Sequence, residues 1–256
     1  MSGIRIHAYL RAGGANSELE RVGPFLAAFT PGTDHPMLNY AIPDDQVRPS
    51  RPQVDALIEA FERRGRVPRL EYSQEAAPDL EARLAESGFR VEARFSVLGC
   101  HPGEEVAMPE PPDFVVGLAE SDRDHLDAVA VANEAFGELG IPDESALAAR
   151  RSLVSAGGAV VLARDRSTGE PAGSGLVGAP RAGVSELAAV GTRVSSRNRG
   201  VAGAVSALLV RQAFAQGVEM LWLTPEHAQS ERIYGRAGFR PIGGHMIHIS
   251  LPVRTG

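Results

Sequence analysis

The sequence predicts a mixed α/β (α+β) protein in which helices flank a mixed central sheet. Two observations carry this prediction. In the second half, segments with helical spacing of apolar residues come before and after a run of short strands. In the first half, a strand, a helix and a strand follow one another as they do near the C-terminus. A chain of 256 residues is long enough for two ordinary domains.

A proline-rich stretch, 101-HPGEEVAMPEPPD-113, separates the two halves. It holds four prolines and three glutamates in thirteen residues. Prolines this dense fit neither a helix interior nor a central strand. We therefore predict a first domain over residues 1–100, a linker over 101–113 and a second domain over 114–256.

The second domain is predicted to begin with a helix that Ser121 caps, because acidic residues and helical apolar spacing follow this serine. Turn residues and apolar runs delimit the later elements. In order, we predict helices over 121–137 and 143–155, strands over 158–165, 172–178 and 184–194, a helix over 202–216, a strand over 219–224, a helix over 226–236 and a strand over 244–251.

The first domain repeats part of this order. The stretch 70-LEYSQEAAPDLEARLAESGF-89 aligns with 221-LWLTPEHAQSERIYGRAGF-239 as a strand, a helix and a Gly-Phe pair at the helix end. A strand follows in each case. The two stretches differ by one residue, which favours an internal duplication. Coincidence between two common supersecondary units is the alternative.

Composition limits the class of protein. A net charge of −6 argues against a nucleic-acid partner. Apolar runs stay short of the ~20 residues that a membrane helix needs, and the N-terminus lacks the regions of a signal peptide. We predict a cytoplasmic protein without a membrane partner. The single cysteine, Cys100, is expected in the core, and His245 and His248 point to opposite faces of a strand, so no metal site is expected.

The stretch 195-SSRNRGVAGA-204 lies between a predicted strand and a predicted helix. A helix's first turn leaves backbone N–H groups without internal partners and carries a partial positive charge, so anions bind there. Small residues at this turn allow a diphosphate to approach the backbone, and arginines add charge. The pattern R-x-x-G-x-A also occurs at 232–237, but there it falls inside a predicted helix. Only the first copy has the context of an anion site.

The run ELAAVGTRVSSRNRGVAGA followed by LWLTPEHAQSERIYGRAGF resembles the GNAT superfamily of acyl-CoA-dependent N-acyltransferases. The resemblance is clear over residues 115–251 and faint before the linker. It implies a GNAT fold, tandem with a degenerate first copy, and acetyl-CoA as acyl donor. It places the CoA pyrophosphate on the loop and the pantetheine arm along the preceding strand. The implied donor-binding residues are Val190, Thr192, Val194, Arg197, Arg199, Gly200, Val201, Ala202, Gly203, Ala204 and Ser230.

Glu186 is the candidate general base. It lies eleven positions before Arg197, the spacing at which histone-type members of this family carry their glutamate. An alkyl amine with a pKa of roughly 10.4 is mostly protonated at pH 7, so a carboxylate is needed to take its proton. The alternative is a glutamate at a strand end that faces solvent. Glu134, on the helix that lines the acceptor side in this family, is a weaker second candidate.

Tyr234 is the candidate general acid, since it lies four residues before Gly238 in the family motif. The alternative is a core tyrosine whose hydroxyl is satisfied. Ser230 falls on the same helix face. His227 stands where the family often has Asn, which weakens one expected contact. The first half has Leu84 in place of the tyrosine and 44-DDQVRPSRP-52 in place of the glycine-rich loop, so its expected role is structural.

The resulting hypothesis is an N-acetyltransferase that moves an acetyl group from acetyl-CoA to a primary amine, on a small molecule or a protein, by direct attack. The alternative is a non-catalytic acyl-CoA-binding regulatory or interaction module. A longer acyl donor stays open as well. The sequence names neither the acceptor nor the oligomeric state, and the expected acceptor loop, 137–145, indicates no substrate class.

Overall fold

The computed structural model of the chain describes residues 2–13, 17–138 and 140–252. The chain folds into two compact units that interleave along the sequence. The first unit comprises Met1–Val97 together with Ile242–Gly256, and the second comprises Leu98–Pro241. The domains predicted from the sequence were consecutive, whereas here the C-terminal strand joins the first unit and the proline-rich stretch belongs to the second.

The first unit begins with a helix and three strands and continues with two helix–strand steps. Its elements are α1 (Ser2–Arg11), β1 (Glu18–Val22), β2 (Phe25–Phe29), β3 (Asn39–Pro43), α2 (Arg51–Glu62), β4 (Arg69–Ser73), α3 (Leu80–Ala85) and β5 (Arg90–Cys100), the last three residues of which lie in the second unit.

The second unit contains the helices and strands that the sequence predicts for residues 121–236, in the predicted order, whereas the predicted strand over 244–251 lies in the first unit as part of β11. A further strand, β6, precedes them. The elements are β6 (Phe114–Leu118), α4 (Asp122–Phe136), α5 (Glu144–Ser155), β7 (Ala159–Asp165), β8 (Pro171–Val177), β9 (Val184–Thr192), α6 (Val201–Ala215), β10 (Met220–Leu223) and α7 (Ala228–Arg236), after which β11 (Arg240–Ser250) enters the first unit.

Strand pairing explains why the units interleave. The two stretches predicted as a duplication are β4–α3–β5 and β10–α7–β11. The end of β5 pairs antiparallel with β10, and β11 pairs antiparallel with β4. The end of β5 therefore lies in the unit that contains β10, and most of β11 lies in the unit that contains β4, which places the C-terminal strand in the first unit.

In the second unit, β6, β7, β8 and β9 are antiparallel neighbours, and β10 runs parallel to β9. One face of this sheet packs against α6, which carries apolar residues on nearly every side. Helices α4 and α5 pack on the other face, around Ala128, Val131, Val160 and Leu162. The sheet is thus covered on both faces, which is the layering of the predicted class.

Three further sequence expectations are confirmed. Residues 101–113 contain neither helix nor strand, and Cys100 is fully buried in the core beside α6. Ser121 caps α4 as predicted, since its hydroxyl accepts a hydrogen bond from the Asp124 N–H. Within residues 2–13, 17–138 and 140–252, each helix is too short or too polar to cross a membrane.

Candidate functional site

The parallel strands β9 and β10 pair over only a few residues. Their register runs from Val184 opposite Met220 to Glu186 opposite Trp222. Strand β9 continues to Thr192, whereas β10 ends at Leu223. The later part of β9 therefore presents an edge without a described β10 partner, which leaves backbone groups available to an extended ligand.

A bulge lies in this unpaired part of β9. The pairing with β8 shifts between Ser174 and Leu176, so Ala189 and Val190 together oppose the single residue Gly175. Ala189 has a φ of 52°, a left-handed conformation that an alanine rarely adopts. A bulge disrupts the ladder and redirects a backbone N–H. Sequence reasoning missed it, because two adjacent alanines give no signal for a bulge.

The predicted anion loop connects β9 to α6. Val194–Ser196 forms a 3₁₀ turn, so Val194 lies two residues beyond the end of the strand and is exposed. Gly200 is the N-cap of α6 with a φ of 85°, which a glycine adopts without steric cost. The first helical residues, Val201 and Ala202, follow directly. The strand–loop–helix context predicted for 195–204 is confirmed.

The N-terminus of α6 differs from the other helix starts of its unit. Side chains of Ser121, Asp143 and His227 accept hydrogen bonds from first-turn N–H groups of α4, α5 and α7. Gly200 provides no such side-chain cap for α6. In the described part of the chain, the first-turn N–H groups of α6 are thus not capped by a side chain, and they can bind an anion.

The two loop arginines lie in different surroundings. The Arg197 Nε donates to the Thr192 carbonyl at 3.2 Å, and this side chain is exposed beside the loop. The Arg199 guanidinium is 2.8 Å from Asp113 Oδ2 and stacks over the Phe114 ring. Arg199 is therefore attached to the end of the proline-rich stretch, a contact that no motif predicted.

Packing around the rest of the loop is close. A Cβ on Gly203 would lie 2.8 Å from the terminal methyl of Met108, a residue of the proline-rich stretch. Ala204 is buried, and its N–H donates to the Gly200 carbonyl as the first α-helical bond. The Thr192 hydroxyl is buried and has no hydrogen-bond partner in the described structure. The start of α6 is thus packed against the proline-rich stretch at Gly203.

Glu186 lies on the sheet face that α4 and α5 cover. Its neighbour Leu187 points into the core beside α6, and successive strand residues alternate between faces. Glu186 is half-buried, not a fully exposed strand-end residue. Its backbone carbonyl accepts from the Gly178 N–H at 2.8 Å. The carboxylate therefore lies beside the last paired position of β9 and β10, where the opening between the strands begins.

Glu134, the second candidate base, is engaged elsewhere. Its Oε2 lies 3.0 Å from the Arg193 Nε, so the side chain connects α4 to the residue that follows β9.

Tyr234 and Ser230 lie one turn apart on α7. Tyr234 is half-buried, packs against the core beside α6 and contacts Phe239 edge to face. Burial, helped by Glu226, raises the pKa of Tyr234 to about 12. The phenol is therefore protonated at neutral pH and can donate a proton or a hydrogen bond.

His227 has a role that the sequence analysis missed. Its Nδ1 accepts from the Ser230 N–H at 3.1 Å and lies 2.6 Å from the Ser230 hydroxyl. The imidazole thus caps α7 and orients Ser230. An asparagine at this position would serve as an N-cap in the same way, so the substitution preserves the start of the helix.

The first unit differs from the second at the two positions that correspond to the anion loop and to Tyr234. Its helix α2 begins with a capping box in which Ser50 and Gln53 satisfy each other's backbone N–H groups. Pro52 in the first turn has no N–H. Leu84 occupies the position of Tyr234 and is fully buried. The N-terminus of α2 is therefore closed to an anion.

Other candidate ligand residues are structural. His248 is buried beside Arg69 and Glu71. His245 is exposed, and its ring lies 3.3 Å from the Gln74 side chain. Among the residues that the structure describes, no three His, Cys, Asp or Glu side chains are close enough to hold a metal ion.

A comparison of sequences identifies the domain that carries this site. Residues 118–239 match the acetyltransferase (GNAT) family. The second unit therefore contains a GNAT acetyltransferase domain, a family that transfers acetyl groups and generally uses acetyl-CoA. No curated protein matches the chain.

Solved structures extend the likeness to nearly the whole chain. A GCN5-related N-acetyltransferase from Kribbella flavida is 25% identical, with a TM-score of 0.80 over 98% of this chain and 96% of its own. One from Sphaerobacter thermophilus is 16% identical, with a TM-score of 0.66 over 90% and 81%. A tandem GNAT protein from the clavulanic acid biosynthesis pathway is 13% identical, with a TM-score of 0.65 over 98% and 87%. The fold is that of the GNAT proteins.

Proposed function

We propose that the second unit transfers an acetyl group from acetyl-CoA to a primary amine by direct nucleophilic attack. One observation supports this most strongly: in a GNAT domain, the α6 N-terminus without a side-chain cap adjoins the unpaired edge of β9. The acceptor amine belongs to a small molecule or a protein, and we expect neither a nucleic-acid nor a membrane partner.

The donor would bind in two parts. The CoA diphosphate would accept hydrogen bonds from the backbone of Gly200 to Gly203 at the positive end of α6, and Arg197 would add charge at the rim. The pantetheine amides would pair with the unpaired edge of β9 near Val190 and Thr192. Thr192, at the end of the β9 edge, and Gly200, at the start of α6, are fewer than ten residues apart along the chain. One extended ligand can therefore reach both.

The chemistry then needs a base, an oxyanion donor and an acid. Glu186 takes the amine proton, directly or through a water, because only the neutral amine attacks the thioester carbon. As that carbon becomes tetrahedral, a backbone N–H of the Ala189 bulge would stabilise the negative oxygen. When the C–S bond breaks, Tyr234 protonates or hydrogen-bonds the departing CoA thiolate.

The opening between β9 and β10 gives these groups access to one reaction centre. Tyr234 packs on the α6 side of the sheet, and Glu186 faces the α4 and α5 side. A thioester placed in the opening is therefore accessible to the acid from one face and to an amine from the other. Holding the two reactants there supplies much of the rate acceleration through proximity.

The direct test is acetyl-CoA-dependent acetylation of an amine panel, with release of the CoA thiol as the signal. Turnover that Glu186→Gln and Tyr234→Phe each reduce supports the proposal. If acetyl-CoA binds but no amine is acetylated, and neither variant changes the behaviour of the chain, the domain is a non-catalytic acyl-CoA-binding module instead.

A further inference from the structure

Strand β6 forms an edge of the sheet in the second unit. It pairs antiparallel with β7 along one side, and it is the last strand in the order of the sheet. The register is regular over its five residues, from Phe114 opposite Asp165 to Leu118 opposite Val161. One side of β6 is therefore bonded to its own chain, and the other side is open.

Two hydrogen bonds at the ends of this pairing show which backbone groups face the open side. The Asp113 carbonyl accepts from the Arg166 N–H, and the Ala119 N–H donates to the Val160 carbonyl, each at 2.8 Å. In an antiparallel pair, alternate residues direct both of their backbone groups toward the partner strand. The odd-numbered residues of β6 therefore bond to β7, and the even-numbered residues direct their N–H and C=O groups outward.

The first outward residue of β6 is satisfied within the chain. The Phe114 N–H donates to the Pro111 carbonyl at 3.0 Å, and the Phe114 carbonyl accepts from Arg166 Nη2 at 3.1 Å. The next two outward residues, Val116 and Leu118, differ. In the part of the chain that the structure describes, their backbone groups have no hydrogen-bond partner. The end of β6 thus presents two donors and two acceptors to the outside.

The composition of β6 does not protect this edge. Its sequence, FVVGL, contains no charge and no proline, and its pairing with β7 shows no bulge. Val115 is 50% exposed and Leu118 is 39% exposed. Proteins usually prevent the pairing of edge strands by charged residues, prolines or bulges. An apolar edge with open backbone groups is therefore suited to pairing with another strand.

Strand β1, an edge strand of the first unit, shows the usual protection. It pairs with β2 along one side. Three of its five residues are charged, namely Glu18, Glu20 and Arg21. Glu20 also forms ion pairs with Arg63 and Arg64, which follow α2. The two edge strands of the chain thus differ, and the unprotected edge is a specific feature of β6.

The open groups of β6 are complementary to those of a second copy. In an antiparallel pair about a two-fold axis, Val116 of one copy lies opposite Leu118 of the other, and Gly117 lies opposite Gly117. Both outward residues of each copy then form hydrogen-bonded pairs, which gives four backbone hydrogen bonds. The side chains of Val116 and Leu118 meet on one face of the joined sheet, and Val115 comes opposite Ala119 on the other face.

Charges beside the strand favour the same register. Arg166 Nη2 lies at the Phe114 carbonyl, on the open side of β6. Glu120 follows β6 and is exposed, and among the described residues its carboxylate has no partner. In the two-fold register, Glu120 of one copy lies opposite Phe114 of the other and therefore comes beside Arg166. Two contacts between opposite charges form, one on either side of the axis.

We infer that the protein forms a two-fold dimer in which the β6 strands of two copies pair antiparallel and join the sheets of their second units. One register satisfies the open backbone groups, covers the exposed apolar side chains and pairs the carboxylate of Glu120. A strand of a different protein would satisfy the backbone groups without accounting for the match between Glu120 and Arg166. The inference does not depend on the proposed acetyl transfer.

Sedimentation equilibrium of the full chain over a range of concentrations tests the dimer. The native protein should show twice the mass of a single chain and dissociate on dilution. Leu118→Lys places a charge on the open edge and should give a monomer at the same concentrations. Leu19→Lys on β1 is the matched control, since Leu19 is 48% exposed, and it should leave the dimer intact. A monomeric native chain would overturn the inference, even if its edge binds a strand of another protein.

Hydrogen exchange at single amides locates the interface and does not depend on any variant being stable. The Val115 and Gly117 N–H groups bond to β7 and should be protected in monomer and dimer alike. The Val116 N–H should be protected in the native dimer and exchange about 100-fold faster in the Leu118→Lys monomer or on dilution of the native protein. A native dimer in which the Val116 and Leu118 amides exchange rapidly would place the interface elsewhere and overturn the inference.

Charge exchange tests the register. Glu120→Arg brings like charges together at both contacts and should weaken the dimer about 5-fold, and adding Arg166→Glu to the same chain should restore the native affinity. Glu18→Arg on β1 makes the same change of charge on the other edge strand and should have no effect. If Glu120→Arg and Glu18→Arg leave the affinity equally unchanged, the proposed register is wrong.

Discussion

Glu186 on β9 lies beside Trp222 on β10, and this is the last residue pair in register before the two parallel strands cease to pair. The proposed base is thus placed by backbone pairing at the point where the opening in the sheet begins. Four residues on, the backbone edge proposed for the pantetheine arm begins, and after Thr192 the chain reaches the anion loop. One strand therefore positions the base, the bulge and the donor site.

Glu186→Gln should lower kcat at pH 7 by about 100-fold or more, because the amine is then deprotonated only by solvent. Raising the pH from 7 to 9 increases the neutral fraction of an alkyl amine about 100-fold, so the variant should regain activity in alkaline solution. Initial rates of CoA release between these pH values measure both effects.

Glu134→Gln is the matched control for this experiment. Its carboxylate pairs with Arg193, so the change should affect the loop after β9 and acetyl-CoA affinity more than the pH dependence. An alkaline recovery seen with Glu134→Gln and absent with Glu186→Gln would reverse the two assignments.

Tyr234→Phe should lower kcat by roughly 10²-fold while acetyl-CoA affinity changes little, because it removes only the hydroxyl group from a half-buried ring. The fold should persist, since the edge-to-face contact with Phe239 needs no hydroxyl. Steady-state kinetics and titration with acetyl-CoA check this. A full-rate variant would make Tyr234 a core residue only.

Cys100 should not react with thiol reagents in the folded protein. It is the single cysteine of the chain and is fully buried, and burial raises the pKa of its thiol to about 12. Only a thiolate reacts rapidly. Exposure to a thiol-detecting dye without denaturant should give no signal, and denaturation should give one thiol per chain. Rapid labelling of the native protein would contradict the buried position.

The stability of the first unit should depend on His7 below neutral pH. His7 is fully buried on α1, its Nε2 accepts from the Ser73 N–H at 2.7 Å, and its protonated Nδ1 lies 2.9 Å from Asp45. Burial lowers the pKa of His7 from 6.5 to about 4. The unfolded chain therefore binds a proton that the folded chain does not, and the free energy of unfolding falls as the pH drops from 6.5 to 4.

The size of this effect follows from linkage. A shift of this extent amounts to about 3 kcal/mol of stability that is present above pH 6.5 and lost by pH 4. Urea unfolding at several pH values measures it, and His7→Gln should flatten the dependence in this window. Equal pH slopes for the native chain and the variant would show that other buried histidines, such as His248, carry the effect.

The sequence predicts the elements of the second unit well because its patterns are local. The helical spacing after Ser121, the strand–loop–helix order around Gly200 and the proline-rich stretch each depend on residues close together in the chain. Boundaries differ by a few residues at most, as where β9 ends at Thr192 and leaves Val194 in a turn.

The features that the sequence does not reveal depend on distant residues. Two similar strand–helix–strand stretches could each pair their own two strands or could pair with strands of the other stretch. The structure shows the second case, since the end of β5 pairs with β10 and β11 pairs with β4. The Ala189 bulge arises opposite Gly175, a residue of another strand. The roles of Glu186 and Tyr234 remain predictions that the geometry supports.

The central claim is that the loop at 195–204 binds acetyl-CoA, and isothermal titration tests it most directly. Native protein should bind acetyl-CoA at one site per chain, and Arg197→Glu combined with Gly200→Glu should abolish binding through added negative charge. Gly217→Glu is the matched control, since Gly217 lies just after the other end of α6 with the same φ of 85°. It should bind as the native chain does. If the native protein does not bind acetyl-CoA, the loop is an ordinary turn between a strand and a helix, and the central claim is wrong.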